Sequence, residues 1–124
     1  MLENFLADFK ATLTSSPIVK DIEIDDEFIT SVSGFLDCTV ELIDGSTLYV
    51  TEYFTISGEN IKHDKYSYHL QKKGEFIIRW DNAPHHRELS TFPYHVHNKD
   101  GVNESKEMTI NEILDEISEK ILPE

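Results

Sequence analysis

The chain has 124 residues and a formal net charge of −13, from 24 Asp or Glu against 11 Lys or Arg. This length suits one domain over residues 1–124 with a single core, and the negative charge argues against tight nonspecific binding to nucleic acid. No apolar run approaches roughly 20 residues, the N-terminus lacks a basic start, and Cys38 is the single cysteine, so we expect a cytoplasmic protein without a membrane span, signal peptide, internal disulfide or cysteine-rich zinc site.

The first elements are a helix and a strand. Apolar residues recur at helical spacing and form one stripe, made of Leu2, Phe5, Leu6, Phe9 and Leu13. This helix should end before Pro17, because the residue before a proline is disfavoured in the helical conformation. A looser alternation over residues 18–32 predicts a strand that is broken near Asp25 and Asp26.

Residues 35–56 alternate apolar and polar side chains on both sides of a turn sequence. This pattern predicts a β-hairpin with one buried face. A three-residue loop at 44–46 keeps apolar residues beside apolar residues, whereas a two-residue loop would not. The chosen register puts Glu52 on the inner face opposite Cys38, where a carboxylate needs a hydrogen bond, a charged partner or the edge of a site.

A second hairpin is predicted from strands over residues 64–72 and 75–81. With a two-residue turn between them, Tyr68 lies opposite Arg79 and shares a polar face with Asp81. The other face of this hairpin is mostly core, so a slip of one residue would exchange the two sets of side chains.

The C-terminal part contains a polar loop over residues 98–108 and a closing helix over residues 109–122. Thr109 and Glu112 fit a capping box, and the apolar stripe that follows ends at Pro123. The predicted fold is therefore α+β: an antiparallel meander sheet of four to five strands with the N- and C-terminal helices packed on one face.

The central segment, residues 61–99, differs from the rest of the chain. It holds seven Lys or Arg against four Asp or Glu, whereas the remainder holds four against twenty, and it contains all six histidines. Within it, residues 82–94 cannot form an ordinary strand or helix, because Pro84 and Pro93 lack backbone donors. Long loops inside compact domains are usually functional. We therefore place any chemistry of the chain here.

Three interpretations of this segment stay open. One is a metal site, in which His95 and His97 point the same way and His85 or His86 adds a third nitrogen, although the spacing matches no strong zinc pattern. Another is metal-free acid–base chemistry on a phosphodiester, in which histidines transfer protons and an arginine binds the phosphate. The third is structural: polar rings hold an irregular loop to the sheet.

Three stretches resemble the signature of one family. Residues 66–71 read Tyr-Ser-Tyr-His-Leu-Gln, residues 79–86 read Arg-Trp-Asp-Asn-Ala-Pro-His-His, and residues 91–97 read Thr-Phe-Pro-Tyr-His-Val-His. These are similar to the TumE-type toxin family of small bacterial and archaeal proteins. Tyr94 stands where that family often has His and Val96 where it often has a basic residue, which removes polar groups from the candidate site.

The resemblance implies a growth-inhibiting toxin of a two-gene toxin–antitoxin module, whose partner is a helix-turn-helix antitoxin. It implies no mechanism. From the residues themselves we expect RNA as the target, cleaved without a metal or cofactor. The alternatives are a non-catalytic module that arrests growth by occupying a target, and a divalent-metal-binding protein. The acidic remainder of the chain suits a basic docking surface on an antitoxin more than it suits RNA.

The candidate catalytic residues all lie within residues 66–97. They are His85 and His86 for proton transfer, Arg79 for phosphate contact, Asp81 for orienting Arg79 or a histidine, and Tyr68, His95 and His97 in support.

Overall fold

The structure is a computed structural model that describes residues 1–122. Two helices, α1 (Leu2–Ser15) and α2 (Ile110–Ile121), flank seven strands that form one antiparallel sheet in chain order. The strands are β1 (Val19–Ile29), β2 (Ser33–Leu42), β3 (Ser46–Ser57), β4 (Asn60–Lys72), β5 (Glu75–Asp81), β6 (His95–Asn98) and β7 (Gly101–Glu104). Within these described residues, neither helix is long and apolar enough to cross a membrane. Pro123, where the closing stripe was expected to end, lies outside the described residues.

The α+β class is confirmed, but the sheet has seven strands rather than four to five. The additional strands β6 and β7 have four residues each, too few to produce a recognisable alternation. They form because the edge of β5 offers unpaired backbone groups to residues 95–98. The turn between β6 and β7 is closed by the Asn98 side chain, which accepts the Asp100 N–H at 2.9 Å.

Both helices cover the same face of the sheet. The buried helical residues are Leu2, Leu6, Phe9 and Leu13 of α1 and Ile110, Ile113, Leu114 and Ile117 of α2. They pack into one core with alternate residues of β2–β5. Thr109 forms the predicted capping box, since its hydroxyl accepts the Glu112 N–H while the Glu112 carboxylate accepts the Thr109 N–H.

The strands of the first hairpin, β2 and β3, keep their predicted faces, but their register differs from the predicted one. The loop has the predicted three residues and begins one position earlier, at Ile43, so Glu52 lies opposite Leu36 rather than Cys38. A displacement of two residues leaves every side chain on the same face. The Asp44 carboxylate fixes this loop by accepting the backbone N–H two residues further on, at 3.0 Å. In addition, β1 is continuous, and its predicted break is only a local irregularity of pairing.

The register predicted for the second hairpin is wrong. Its two-residue turn forms, but Ile77 has no partner across the pair, and this β-bulge shifts all later residues by one position. Tyr68 consequently lies opposite Trp80 and not opposite Arg79. The bulge buries the Trp80 ring, which is 3% exposed, and removes this large apolar surface from water. It also places Asp81 on the face away from the helices.

Candidate functional site

The face of the sheet opposite the helices carries polar side chains in cross-strand rows. One row joins residues that pair directly across five neighbouring strands, namely Asp37, Thr51, Ser67, Asp81 and His95. The next row contains Thr39, Tyr49, His69, Arg79 and His97. Because side chains alternate along a strand, the register that buries the apolar residues under the helices also assembles these rows. We call this surface the polar face.

Residues 82–94 fold over the polar face and turn it into a cavity. Successive short turns shape this loop, with the His85 N–H donating to the Ala83 carbonyl at 2.7 Å and the Leu89 N–H donating to the His86 carbonyl at 3.1 Å. The cavity has a volume of about 780 Å³, which is within the usual range of ligand sites. Six of the seven candidate residues line it: Arg79, Asp81, His85, His86, His95 and His97.

Asp81 lies at the centre of the cluster and is 6% exposed. Its Oδ2 accepts from Arg79 Nε at 2.9 Å, and its Oδ1 accepts from the Ala83 N–H at 3.0 Å. His95 Nε2 lies 2.9 Å from the same Oδ1. A buried carboxylate is stable only when paired in this way, and each pair also restrains its partner. Asp81 therefore holds Arg79, His95 and the start of the loop together.

His95 is almost fully buried, with 2% exposure. Its Nδ1 lies 2.8 Å from the Pro93 carbonyl oxygen, and its Nε2 faces the Asp81 carboxylate. Both partners are acceptors, so both ring nitrogens are placed to donate. This ring positions the loop and the carboxylate, and in this arrangement both of its nitrogens face protein acceptors.

His97 pairs with the guanidinium of Arg79. Arg79 Nη2 donates to His97 Nε2 at 3.1 Å, and this nitrogen can accept only while it carries no proton. Burial, and then the positive charge of Arg79, lower the pKa of His97. The ring faces the cavity with a side chain that is 20% exposed. His97 is therefore a neutral imidazole within reach of a ligand.

His86 enters the cluster from the loop. Its backbone has a positive φ of 60°, which is uncommon for a residue with a side chain and marks a position worth a functional explanation. Its ring packs edge-on against His95 and His97, with ring centroids 5.2 Å and 5.6 Å apart. On its outer side, His86 Nδ1 lies 3.3 Å from Glu88 Oε1. The loop thus adds a third imidazole that is also partly exposed.

Two candidate residues are placed differently. His85 is exposed at the rim of the cavity, and its ring contacts only His86 within the histidine cluster, at a centroid distance of 6.5 Å. Tyr68 lies on the helix-covered face, away from this cavity, because of the β-bulge. The lining residues that were not predicted include Ser67, which pairs with Asp81, and Asn82. The correct register would have revealed Ser67.

Asn82 anchors the loop to the sheet. Its Oδ1 accepts the Tyr66 N–H at 3.0 Å, and its Nδ2 donates to the Asp64 carbonyl at 3.0 Å. The side chain thereby extends the backbone pairing of β4 after β5 has ended. Its place in the turn after the strand was the available signal, since asparagine side chains often take over backbone hydrogen bonds in turns.

The same cluster has some capacity for a metal ion. His86, His95 and His97 each offer one nitrogen, and these three atoms lie within 4.8 Å of one another. Nitrogens around a tetrahedral zinc ion lie about 3.3 Å apart, so the rings would have to approach. The present partners of two of them, the Asp81 carboxylate and the Arg79 guanidinium, would also have to be displaced.

We expect the free energy of unfolding to fall as the pH drops below about 6.5, the pKa of an unperturbed histidine. Below that pH the unfolded chain binds a proton at His97, while the folded chain, with its lowered pKa, resists it. His69 contributes with the same sign, because burial and Arg79 lower its pKa too. Urea unfolding at about pH 7.5 and about pH 5.5 measures the loss. A His97→Asn variant should lose less than the wild type, and an equal loss would contradict the assignment.

A family model described as Toxin TumE matches residues 8–121. This range contains all seven strands and both cavity-forming segments, the polar face and the loop over it. No curated protein and no solved structure matches the chain.

Proposed function

With its model matched over most of the sequence, the chain belongs to the TumE toxin family, and we propose that it arrests growth by cleaving RNA without a metal ion. A toxin-like role follows from the family. The proposal goes further in naming the substrate, the chemistry and the partner, a helix-turn-helix antitoxin. Its main support is the Asp81-centred network, which holds an arginine and a neutral histidine side by side in an open cavity.

The proposed reaction is an internal transfer of the phosphodiester. A base takes the proton of a ribose 2′-hydroxyl, the 2′-oxygen forms a bond to phosphorus, and the bond to the 5′-oxygen breaks as an acid gives that oxygen a proton. The products are a 2′,3′-cyclic phosphate and a free 5′-hydroxyl. Such a reaction needs two proton-transfer groups and a cation, and histidine suits both proton transfers near neutral pH.

We propose a distribution of these roles that differs from the one expected from the sequence. His97 is the proposed base, because its pKa is lowered and its ring faces the cavity. Its Nε2 can take the proton of the 2′-hydroxyl once the Arg79 Nη2 donor has moved from this nitrogen to the phosphate. His86 is the proposed acid, since it lies beside His97 and is partly exposed. Arg79 uses two of its five N–H donors on Asp81 and His97, which leaves three for a phosphate. His95 and Asp81 are positioning residues, and His85 at the rim is left without a direct role.

The charge distribution supports a protein partner as well as a confined RNA site. The central segment alone has a positive balance, and Arg79 and Lys65 line its cavity. The acidic remainder would repel RNA elsewhere on the surface, so contact with the substrate is confined to a short stretch. The same acidic surface is complementary to a basic antitoxin, and complementary charge favours rapid and specific association.

Inducible expression tests the proposal, with growth and the integrity of total RNA followed together. The wild type should stop growth and fragment RNA, and His97→Asn should do neither. His85→Asn, a histidine at the rim of the same cavity, is the matched control and should behave as the wild type. If growth stops in all three while RNA stays intact, the protein acts by occupying a target and the cleavage proposal is wrong.

A second candidate function, divalent-metal binding, is favoured by the three clustered imidazole nitrogens. The neighbouring Arg79 guanidinium opposes it, because a second cation there would be repelled. Metal analysis of protein purified without chelators separates the two proposals. One metal ion per chain in the wild type, lost in His86→Asn, would contradict metal-free cleavage and support a metal-assisted reaction.

A further inference from the structure

A second cavity lies on the other side of the sheet, under the helices. It has a volume of about 400 Å³ and opens between α1 and the first residues of α2. It shares no lining residue with the cavity of the polar face. Any function it has is therefore separate from the proposed RNA cleavage, and either proposal can fail without the other.

Glu52 forms the floor of this cavity and is fully buried. Neither of its carboxylate oxygens has a hydrogen-bond partner within the described part of the chain. His63 Nε2 lies 2.6 Å from Glu52 Oε2, close enough for an ion pair, but without the alignment of a hydrogen bond. The buried hydroxyl of Tyr68 also lines the cavity beside Glu52, and among residues 1–122 it too has no aligned hydrogen bond. Buried polar atoms without partners cost folding free energy, so their presence at a cavity indicates a missing ligand group.

The walls of the cavity are aromatic. Phe54 meets Phe5 edge-on at a centroid distance of 4.6 Å and Phe9 at 6.2 Å, and it stacks on His63 at 5.2 Å. The rings offer flat apolar surfaces and negative π faces, which attract planar cations.

The lining carries two carboxylates and one histidine. The carboxylates are Glu52 at the floor and Asp8 on α1, the histidine is His63 against Glu52, and no Lys or Arg of the described chain lines the cavity. A phosphate or carboxylate ligand would therefore meet two carboxylates and no permanently charged cation. A cation would instead gain from both carboxylates.

We infer that this cavity binds a guanidinium group, whose paired N–H donors meet the Glu52 carboxylate while its plane lies against the phenylalanine rings. Guanidinium combines the three properties that the cavity selects: positive charge, a flat shape and parallel donors at the spacing of a carboxylate. Burial raises the pKa of Glu52, and a bound cation would lower it again by stabilising the carboxylate. The group can come from a free small molecule or from an arginine of another protein.

Titration of the full chain, followed by ¹H–¹⁵N NMR spectra, tests this inference. The probes are agmatine, N-acetyl-arginine amide and, as the neutral control of the same shape, N-acetyl-citrulline amide. Both guanidinium compounds should shift the amide resonances around Glu52, Phe54 and Thr12, and the citrulline compound should not. Tighter binding of agmatine would indicate a free amine as the natural ligand, and tighter binding of the arginine amide would indicate a protein arginine.

Two variants locate the binding. Glu52→Gln keeps the size of the side chain and removes its charge, so affinity for the arginine amide should fall at least about tenfold. Thr12→Trp fills the mouth from the partly exposed side of α1 without changing the core, and it should abolish binding even if Glu52→Gln folds poorly. His97→Asn, on the opposite face, should bind normally. The inference is overturned if the citrulline compound binds equally well, if neither guanidinium compound binds, or if Thr12→Trp leaves binding unchanged.

Discussion

Under the proposed mechanism, an Asp81→Asn variant is expected to cleave RNA at least about a hundredfold more slowly than the wild type, the usual scale of a lost acid–base arrangement. The asparagine keeps the shape of the side chain but removes the charge that pairs with Arg79 and His95. The N–H donor of the asparagine amide would also face Arg79 or His95, where the carboxylate offered an acceptor. Arg79 would then no longer be held in place by the carboxylate, and the buried His95 ring would lose its carboxylate partner.

The measurement is the initial rate at which purified protein fragments total RNA, with folding checked by circular dichroism. Asp37→Asn is the matched control, because Asp37 lies in the same cross-strand row and accepts a hydrogen bond from Thr51 at 3.1 Å, far from the histidines. We expect Asp37→Asn to retain the wild-type rate. Equal rates in the wild type and a folded Asp81→Asn protein would remove Asp81 from the mechanism.

Replacing Ile117 by alanine should lower the free energy of unfolding by about 3 kcal/mol. Ile117 is fully buried where α2 meets the core, and its truncation leaves a cavity that the sheet cannot close. A helix of 12 residues is marginal by itself in water, so α2 depends on this packing. A loss of this size would show that the closing helix is part of the cooperative core and is not a separate docking element.

The midpoint and slope of urea unfolding give this free energy. Glu119→Ala, two residues further along α2 at an exposed position, is the control and should change stability by no more than about 0.5 kcal/mol. If Ile117→Ala matched this control, α2 would unfold independently of the sheet. Its role would then have to be sought in binding.

The two cavities lie on opposite faces of one sheet, and the alternation of strands β3 and β4 supplies both. Along β4, Ser67 faces the histidine cluster while Tyr68 faces Glu52. A change on one face therefore leaves the other face available as a control. This separation is what allows the RNA-cleavage proposal and the guanidinium proposal to be tested independently in the same folded protein.

Local chemistry in the sequence determined much of this protein. The stripe from Leu2 to Leu13 predicted α1, and the pair Thr109 and Glu112 predicted the start of α2, because helix spacing and capping involve only near neighbours. The alternation around residue 44 predicted the first hairpin and the buried position of Glu52 for the same reason. The family, and the segment that lines the cavity of the polar face, could likewise be predicted from the central motif.

Tertiary structure alone decided which of those residues meet. A β-bulge adds one residue that period-two alternation cannot reveal, and only the burial of Trp80 beside Tyr68 selects the shifted register. That shift moved Tyr68 to the helix side and assembled Arg79, Asp81 and the histidines on the polar face. The strands β6 and β7, which align His95 and His97 with β5, also depend on backbone groups contributed by a distant part of the chain. Strand pairing is set by the free energy of the whole sheet, so local sequence patterns do not predict it.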